Sequence, residues 1–281
     1  MSNISPIDGR YKKNVSELGT FFSEQALMRH RVMVEVEYLL ALIEHRSFQK
    51  TRALSKKTLN SLKGLYVEFS ADHFKQIKKI EKKTNHDVNA VVVFVSEKLK
   101  KLGRGDLVPF VHFGLTSEDI NNISYSLMTQ GAVEDVMIPS VKRVLKELKA
   151  LSKKTKSLSL LSLTHGQPAT TTTLGKELAI FVSRVEREIA LIKKMKLLAK
   201  LSGATGSYAA HRVAFPDFNW PLFSKRFIKK LGLEQSPIST QIEPGDSLAE
   251  LLHSFVRINN IFSDFSLDMW LYIGRNIFVQ K

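Results

Sequence analysis

Leu248, Leu251, Phe255, Ile258, Phe262, Phe265, Met269 and Tyr272 follow one another in alternating steps of three and four residues. That spacing holds an apolar edge on one side of a helix for more than three heptads, so the edge needs helical partners along its length. A similar row, Leu174, Leu178, Phe181, Val185, Ile189 and Ile192, lies between Thr173 and about Ser202. Two helices of roughly 27 to 30 residues would each be ~40 Å long, and two such rods should pack side by side in an elongated bundle. A third extends from Ser117 to about Thr155 and contains Pro139, which requires a kink or a break. Three long helices leave the seam short of partners, and the missing ones are expected from other subunits.

The rest of the chain also has helical period. Met28, Val32, Val36, Leu39 and Ile43 mark one face of an amphipathic helix. The apolar run Val91 to Val95 could pass for a strand by composition, but His86 to Leu102 reads as one helix ended by Gly103. No segment alternates as a half-buried strand would. The fold class is therefore all-α, with an N-terminal helical domain over residues 1–112 and a long-helix bundle over residues 113–281.

Composition removes several kinds of chemistry. The chain has no cysteine, which excludes disulfides, thiolate metal sites and a cysteine nucleophile. The first ten residues carry an acid and no apolar stretch, unlike a secretory signal, and no apolar run approaches the ~20 residues of a membrane helix, so a cytoplasmic protein with no membrane partner is expected. Forty-two Lys and Arg against 27 Asp and Glu give +15. The lysines come as scattered pairs, such as Lys56-Lys57, Lys82-Lys83 and Lys229-Lys230, beside amphipathic sequence. Solvated helix faces account for that layout, and no nucleic-acid partner is expected.

The chemistry should lie in polar segments between the helices. Pro6 to Tyr11 is an Asp-Gly turn followed by Arg10 and Tyr11, which could grip a phosphate. Thr84 to Val88 holds His86 and Asp87 at a helix start, where Thr84 or Asn85 could equally be a simple N-cap. In His112 to Asn122, Thr116 and Asp119 have capping-box spacing, and the same helix start could receive a carboxylate or phosphate. Thr164-His165-Gly166-Gln167-Pro168 puts a histidine on a Gly/Pro loop among hydroxyls and an amide, a setting suited to proton transfer. Ser202 to His211 and Thr240 to Ser247 are two further loops, and their glycines match neither a dinucleotide fingerprint nor a P-loop.

Six of these stretches in one order, Pro6–Tyr11, Thr84–Val88, His112–Asn122, Thr164–Ala169, Ser202–His211 and Thr240–Pro244, resemble the fumarase/aspartase superfamily and, within it, the bacterial adenylosuccinate lyase family. The resemblance spans the whole chain. It implies a homotetramer around a twenty-helix central bundle, with each active site shared among three subunits and a succinylated purine nucleotide as substrate. It also implies β-elimination of fumarate without cofactor or metal. His165 is then the acid that protonates the leaving nitrogen. His86 lies near the substrate phosphate or supports His165, and Asn85 and Asp87 orient groups beside it. Thr116 and Ser117 bind the succinyl carboxylate, Thr164 and Gln241 contact substrate, and Arg10 with Tyr11 binds phosphate.

In that superfamily the base is a serine on a Gly-Ser-Ser-x-Met-Pro-x-Lys-x-Asn-Pro loop, and no such segment occurs among these residues. The loop and a C-terminal helical domain are expected beyond Lys281, and the 281 residues alone are expected to be inactive. Two alternatives stay open: a related lyase acting on argininosuccinate, malate or aspartate, and a basic helical scaffold or nucleic-acid-binding protein.

Overall fold

The structure, a computed structural model, describes residues 4–45, 48 and 54–279. Its helices are α1 (Gly19–Phe22), α2 (Glu24–Glu44), α3 (Lys56–Val67), α4 (Ala71–Thr84), α5 (Asp87–Lys101), α6 (Ser117–Ala132) and α7 (Ile138–Lys154). A hairpin of β1 (Ser159–Thr164) and β2 (Gln167–Thr173) precedes α8 (Leu174–Ile192) and the two-residue strand β3 (Leu198–Ala199). Then come α9 (Ala209–Ala214), α10 (Trp220–Lys230), β4 (Glu234–Gln235) and α11 (Asp246–Gly274). The fold is all-α in class, with β3 and β4 as a short parallel pair and β1–β2 antiparallel.

Contacts divide the chain into one unit of residues 1–132 with 197–245 and another of 133–196 with 246–281. The division differs from the boundary at residue 112 expected from the sequence, because the chain leaves the first unit along a long helix and returns to it.

In the first unit, Met28, Val32, Val36 and Leu39 of α2 pack with Leu62, Ile77, Val91, Phe94 and Leu99 from α3, α4 and α5. Each such side chain, fully buried, contributes roughly 1.5–3 kcal/mol. The amphipathic reading of α2 needs correction, since the helix is covered on nearly every side and its buried residues include Val34, Arg31, Glu35 and Glu37. Ion pairs and hydrogen bonds absorb those charges: Arg31 meets Asp87, Glu35 meets His112, and Glu37 meets Lys230 and the Tyr66 hydroxyl. A second cluster is aromatic. The His211 ring meets Phe113, Tyr208 and Trp220, its centroid 4.5 Å from that of Trp220, and Phe215, Phe218 and Phe223 pack in turn against Phe113 and Trp220.

In the second unit, α8 packs against α7 and α11. All six residues of the Leu174–Ile192 row are buried, as their spacing requires. The helix ends at Ile192 rather than near Ser202, because Lys193 and Lys194 turn the chain and Leu198–Ala199 enters the parallel pair with β4. At 1.5 Å per residue, α8 is therefore about 28 Å long and the 29-residue α11 about 43 Å. Of the expected α11 seam Leu251 and Ile258 are buried, with Ser254 and Ile261 beside them, whereas Leu248, Phe255 and the row from Phe262 to Tyr272 are only half-covered. Phe181 and Phe265 meet edge to face, and Arg184–Asp264 and Arg257–Glu188 bridge the two helices at 2.9 Å. The long helix begun at Ser117 breaks as expected. A π-turn over Val133–Met137 joins α6 to α7, with Pro139 at the second position of α7, where a missing N–H is tolerated.

Candidate active site

Asn85 is in the left-handed region, φ 51°, and closes α4, so the chain reverses before α5 begins. The N-cap of α5 is His86 itself rather than Thr84 or Asn85: its Nδ1 accepts the Asn89 N–H at 3.2 Å. An imidazole with Nδ1 occupied as acceptor carries its neutral-state proton on Nε2. Nε2 faces the Ser117 hydroxyl at 3.4 Å, so the starts of α5 and α6 meet at His86 and Ser117. Asp87 holds the arrangement from behind, with its Oδ2 2.7 Å from Nη2 of the buried Arg31. Burial works against charge on Asp87, but the Arg31 guanidinium prevails and holds the carboxyl below its ordinary range. Arg31 also donates from Nε to Asn121 Oδ1 at 2.9 Å, tying α2 to α6. A cleft of about 550 Å³ opens here, lined by Lys78, Glu81, Lys82, Asn85, His86 and Asp87.

The loop entering α6 is fixed by buried acids. His112 Nδ1 lies 2.6 Å from Glu35 Oε1, and although burial disfavours its charge, the Glu35 carboxylate raises the His112 pKa above its ordinary value. The Thr116 N–H donates to Asp119 Oδ2 at 2.8 Å, which is the backbone half of the expected capping box. Asp119 does more than cap. It is fully buried and also receives Lys200 and the loop before His211.

His165 occupies a different setting, in the second unit. It and Gly166 form the two-residue turn of the β1–β2 hairpin, between the paired residues Thr164 and Gln167. Their φ angles of 51° and 78° place both in the left-handed region, as a type I′ turn demands, and glycine supplies the second of these without strain. The hairpin was not legible as strand, because Ser159-Leu160-Leu161-Ser162-Leu163 does not alternate and a bulge interrupts pairing between Leu161 and Leu163. Thr164, His165 and most of the hairpin are exposed.

The remaining residues are dispersed. Arg10 lies over the Tyr11 ring at 5.5 Å, both exposed, and no hydrogen bond or ion pair links either to the other candidates among the described residues. Gln241 is exposed on the loop before α11. The fold thus brings together His86, Asp87 and Ser117, with Thr116 beside them in the chain. It keeps His165 and Thr164 on the hairpin of the second unit. Arg31, Glu35 and Lys200 were missed, since nothing local marks a charge within a helix or beside a loop as buried. Among the described residues no group of three or more His, Asp or Glu is placed to hold a metal, and no helix is long and apolar enough to cross a membrane.

The family model for lyases matches residues 9–278, and the chain belongs to that family. More particularly, the sequence is 41% identical over its full length to the adenylosuccinate lyase of Escherichia coli (strain K12) and 42% identical to those of Dictyostelium discoideum and Buchnera aphidicola subsp. Schizaphis graminum. The chain spans 62% of the length of each of these relatives. In structure it is similar to a fumarate lyase from Mesorhizobium sp. BNC1, with a TM-score of 0.73 at 18% identity, covering 92% of this chain and 57% of that one. A β-carboxy-cis,cis-muconate cycloisomerase from Acinetobacter calcoaceticus sp. ADP1 gives 0.69 at 20% identity with the same coverage. These two likenesses establish the fold alone.

Proposed function

We propose that the protein containing this chain cleaves adenylosuccinate to AMP and fumarate, and the succinyl aminoimidazole carboxamide ribotide to its carboxamide and fumarate, in purine nucleotide synthesis in the cytoplasm. The observation that carries the reading is the turn at the hairpin tip, where backbone pairing on both sides holds an exposed histidine, His165, outside any helix. The full-length similarity to adenylosuccinate lyases supports it.

In the reaction a base takes the proton from the carbon β to the leaving nitrogen. The C–H electron pair becomes the new C=C bond, the C–N pair goes to nitrogen, and His165 delivers a proton there. Negative charge gathers meanwhile on the neighbouring carboxylate, where Thr116 and Ser117 at the α6 start supply hydroxyls and the positive end of a helix. His86 lies near the substrate phosphate or supports His165, Asp87 and Asn85 set its orientation, Thr164 and Gln241 hold substrate, and Arg10 with Tyr11 receives the phosphate. The base comes from outside the 281 residues, which alone are inactive.

His165 reaches substrate in a homotetramer whose sites combine stretches of several copies. Exposed Leu158, Leu161 and Leu163 on the hairpin and Leu252, Val256 and Trp270 on α11 supply apolar surface for such an assembly. The test is fumarate release by the full-length protein from adenylosuccinate, argininosuccinate, malate and aspartate in parallel. Adenylosuccinate should be the substrate, and His165→Gln should lower kcat by about 10²–10⁴-fold with the fold intact. Turnover of one of the other three substrates instead, or a fully active His165→Gln enzyme, overturns the reading.

A further inference from the structure

Among the described residues the least exposed ion pair joins Asp119 and Lys200, at 0% and 1% side-chain exposure, with Nζ 2.9 Å from Oδ1. Its bonds run to main chain on two sides. Asp119 Oδ1 accepts the Ser202 N–H at 2.9 Å, and Oδ2 accepts both the Gly203 N–H at 3.1 Å and the Thr116 N–H at 2.8 Å. Lys200 Nζ donates to the Gly203 carbonyl at 2.9 Å. Asn122, one turn along α6, brackets the peptide of Lys200, accepting its N–H at 2.8 Å and donating to its carbonyl at 3.1 Å. The first two turns of α6 therefore grip residues 200–203 at five points.

The gripped segment in turn sets the loop that carries Gln241. Ser202 Oγ is 3.0 Å from Ser239 Oγ. Gly206 is so close that a Cβ there would lie 1.9 Å from the Ser239 carbonyl oxygen and 2.8 Å from that of Thr240. Contacts thus run unbroken from Thr116 through Asp119, the 202–206 loop and Ser239 to the residue next to Gln241.

We propose that Asp119 and Lys200 are positioning residues that hold the Thr116–Ser117 helix start in register with the Gln241 loop. The inference rests on the lyase reading, in which both segments contact substrate. Stability alone is a poor reason for such a pair, because apolar side chains of similar volume commonly serve as well as a buried ion pair. Bonds to two different main-chain segments do what apolar packing cannot: they fix the offset of one segment against the other. Neither residue touches substrate, so their loss should act through misplacement of groups that remain present.

The decisive variant is the double replacement Asp119→Leu with Lys200→Met in the full-length enzyme, which removes both charges together and leaves neither unpaired. A positioning pair predicts a protein that still folds, with a Tm lowered by the Thr116, Ser202 and Gly203 N–H groups left without an acceptor, and whose kcat/KM for adenylosuccinate falls by about 10²-fold, the order of effect of a misplacement near 1 Å. Part of that loss should appear in KM. A double variant that folds and keeps a normal kcat/KM overturns the proposal. If the double variant does not fold, Ser202→Ala with Ser239→Ala takes its place, since it removes only the 3.0 Å hydroxyl contact. A several-fold rise in KM at unchanged Tm then supports the proposal, and an unchanged KM overturns it. The unsubstituted enzyme is the control: its failure to turn over adenylosuccinate counts against the reaction, whereas normal turnover in the variants counts against the pair.

Discussion

The Tyr38 hydroxyl lies 3.3 Å from Nε2 of His211, and the direction of that bond fixes the tautomer of the histidine. Tyr38 donates its one proton to the Phe113 carbonyl at 2.7 Å, so its oxygen must accept from His211 Nε2–H. Nδ1 is then a bare lone pair, fully buried and without a hydrogen-bond partner. Burial drives the His211 pKa down to about 4, against a smaller opposing effect of Asp119.

The depressed pKa makes stability depend on pH in a definite sense. Below its ordinary pKa of 6.5 the histidine takes up a proton in the unfolded chain, while in the folded chain it stays neutral to about 4. The unfolded state therefore binds more protons across that window, and stability falls as pH drops through it, at up to ~1.4 kcal/mol per pH unit. Urea denaturation at pH 7 and pH 4.5 should show this slope. His211→Phe keeps the ring inside its aromatic cluster and should lose the share due to the imidazole, roughly 2–3 kcal/mol. An identical pH dependence in both proteins would exclude His211 as the source.

Gly206 and Gly166 separate backbone strain from steric clash, since their φ angles are nearly equal at 75° and 78°. A Cβ at Gly166 meets nothing within 4 Å, whereas at Gly206 it meets main-chain oxygen that cannot swing aside. Gly166→Ala should cost only the left-handed backbone, about 1 kcal/mol. Gly206→Ala should cost that and the displacement of the 239–240 segment, about 2–4 kcal/mol in all. Equal Tm losses in the two variants would mean that the 202–206 loop is not seated against Ser239.

What the sequence made legible was whatever repeats along the chain. The Leu174–Ile192 row is buried at every position because a period of 3.6 is local, and the Pro139 break followed from one missing N–H. The 133–137 π-turn, the end of α8 at Ile192 and the hairpin were not readable, since each depends on what the chain meets rather than on its own spacing. The same holds in the site. His86, Asp87 and Ser117 were found from their segments, but the groups that orient them lie far off in the chain: Arg31 supports Asp87, and Glu35 supports His112 from 77 residues away. Asp119 was legible as a cap, and its bond to Thr116 is there, but its grip on residues 200–203 spans more than 80 positions.

The outer face of α11 tests the shared assembly. Val256 and Leu267 are 53% and 55% exposed, and the burial of Leu251, Ser254, Ile258 and Ile261 leaves these two on another side of the helix. Replacing both with Glu should alter the stability of the isolated fold by no more than ~0.5 kcal/mol each, as for other exposed positions. In an assembly that buries this face, two carboxylates per helix meet apolar partners without counter-charges, and association should fail. The two tryptophans report the result independently: Trp220 is fully buried within the first unit, while Trp270, next to Leu267 on α11, is 69% exposed. In the full-length wild type an aqueous quencher should therefore reach neither indole. In Val256→Glu/Leu267→Glu it should reach Trp270 but not Trp220, sedimentation should give single chains, and fumarate release should be lost. A double variant that sediments as the wild type does, with Trp270 open to quencher in both, would show that this face of α11 takes no part in the assembly.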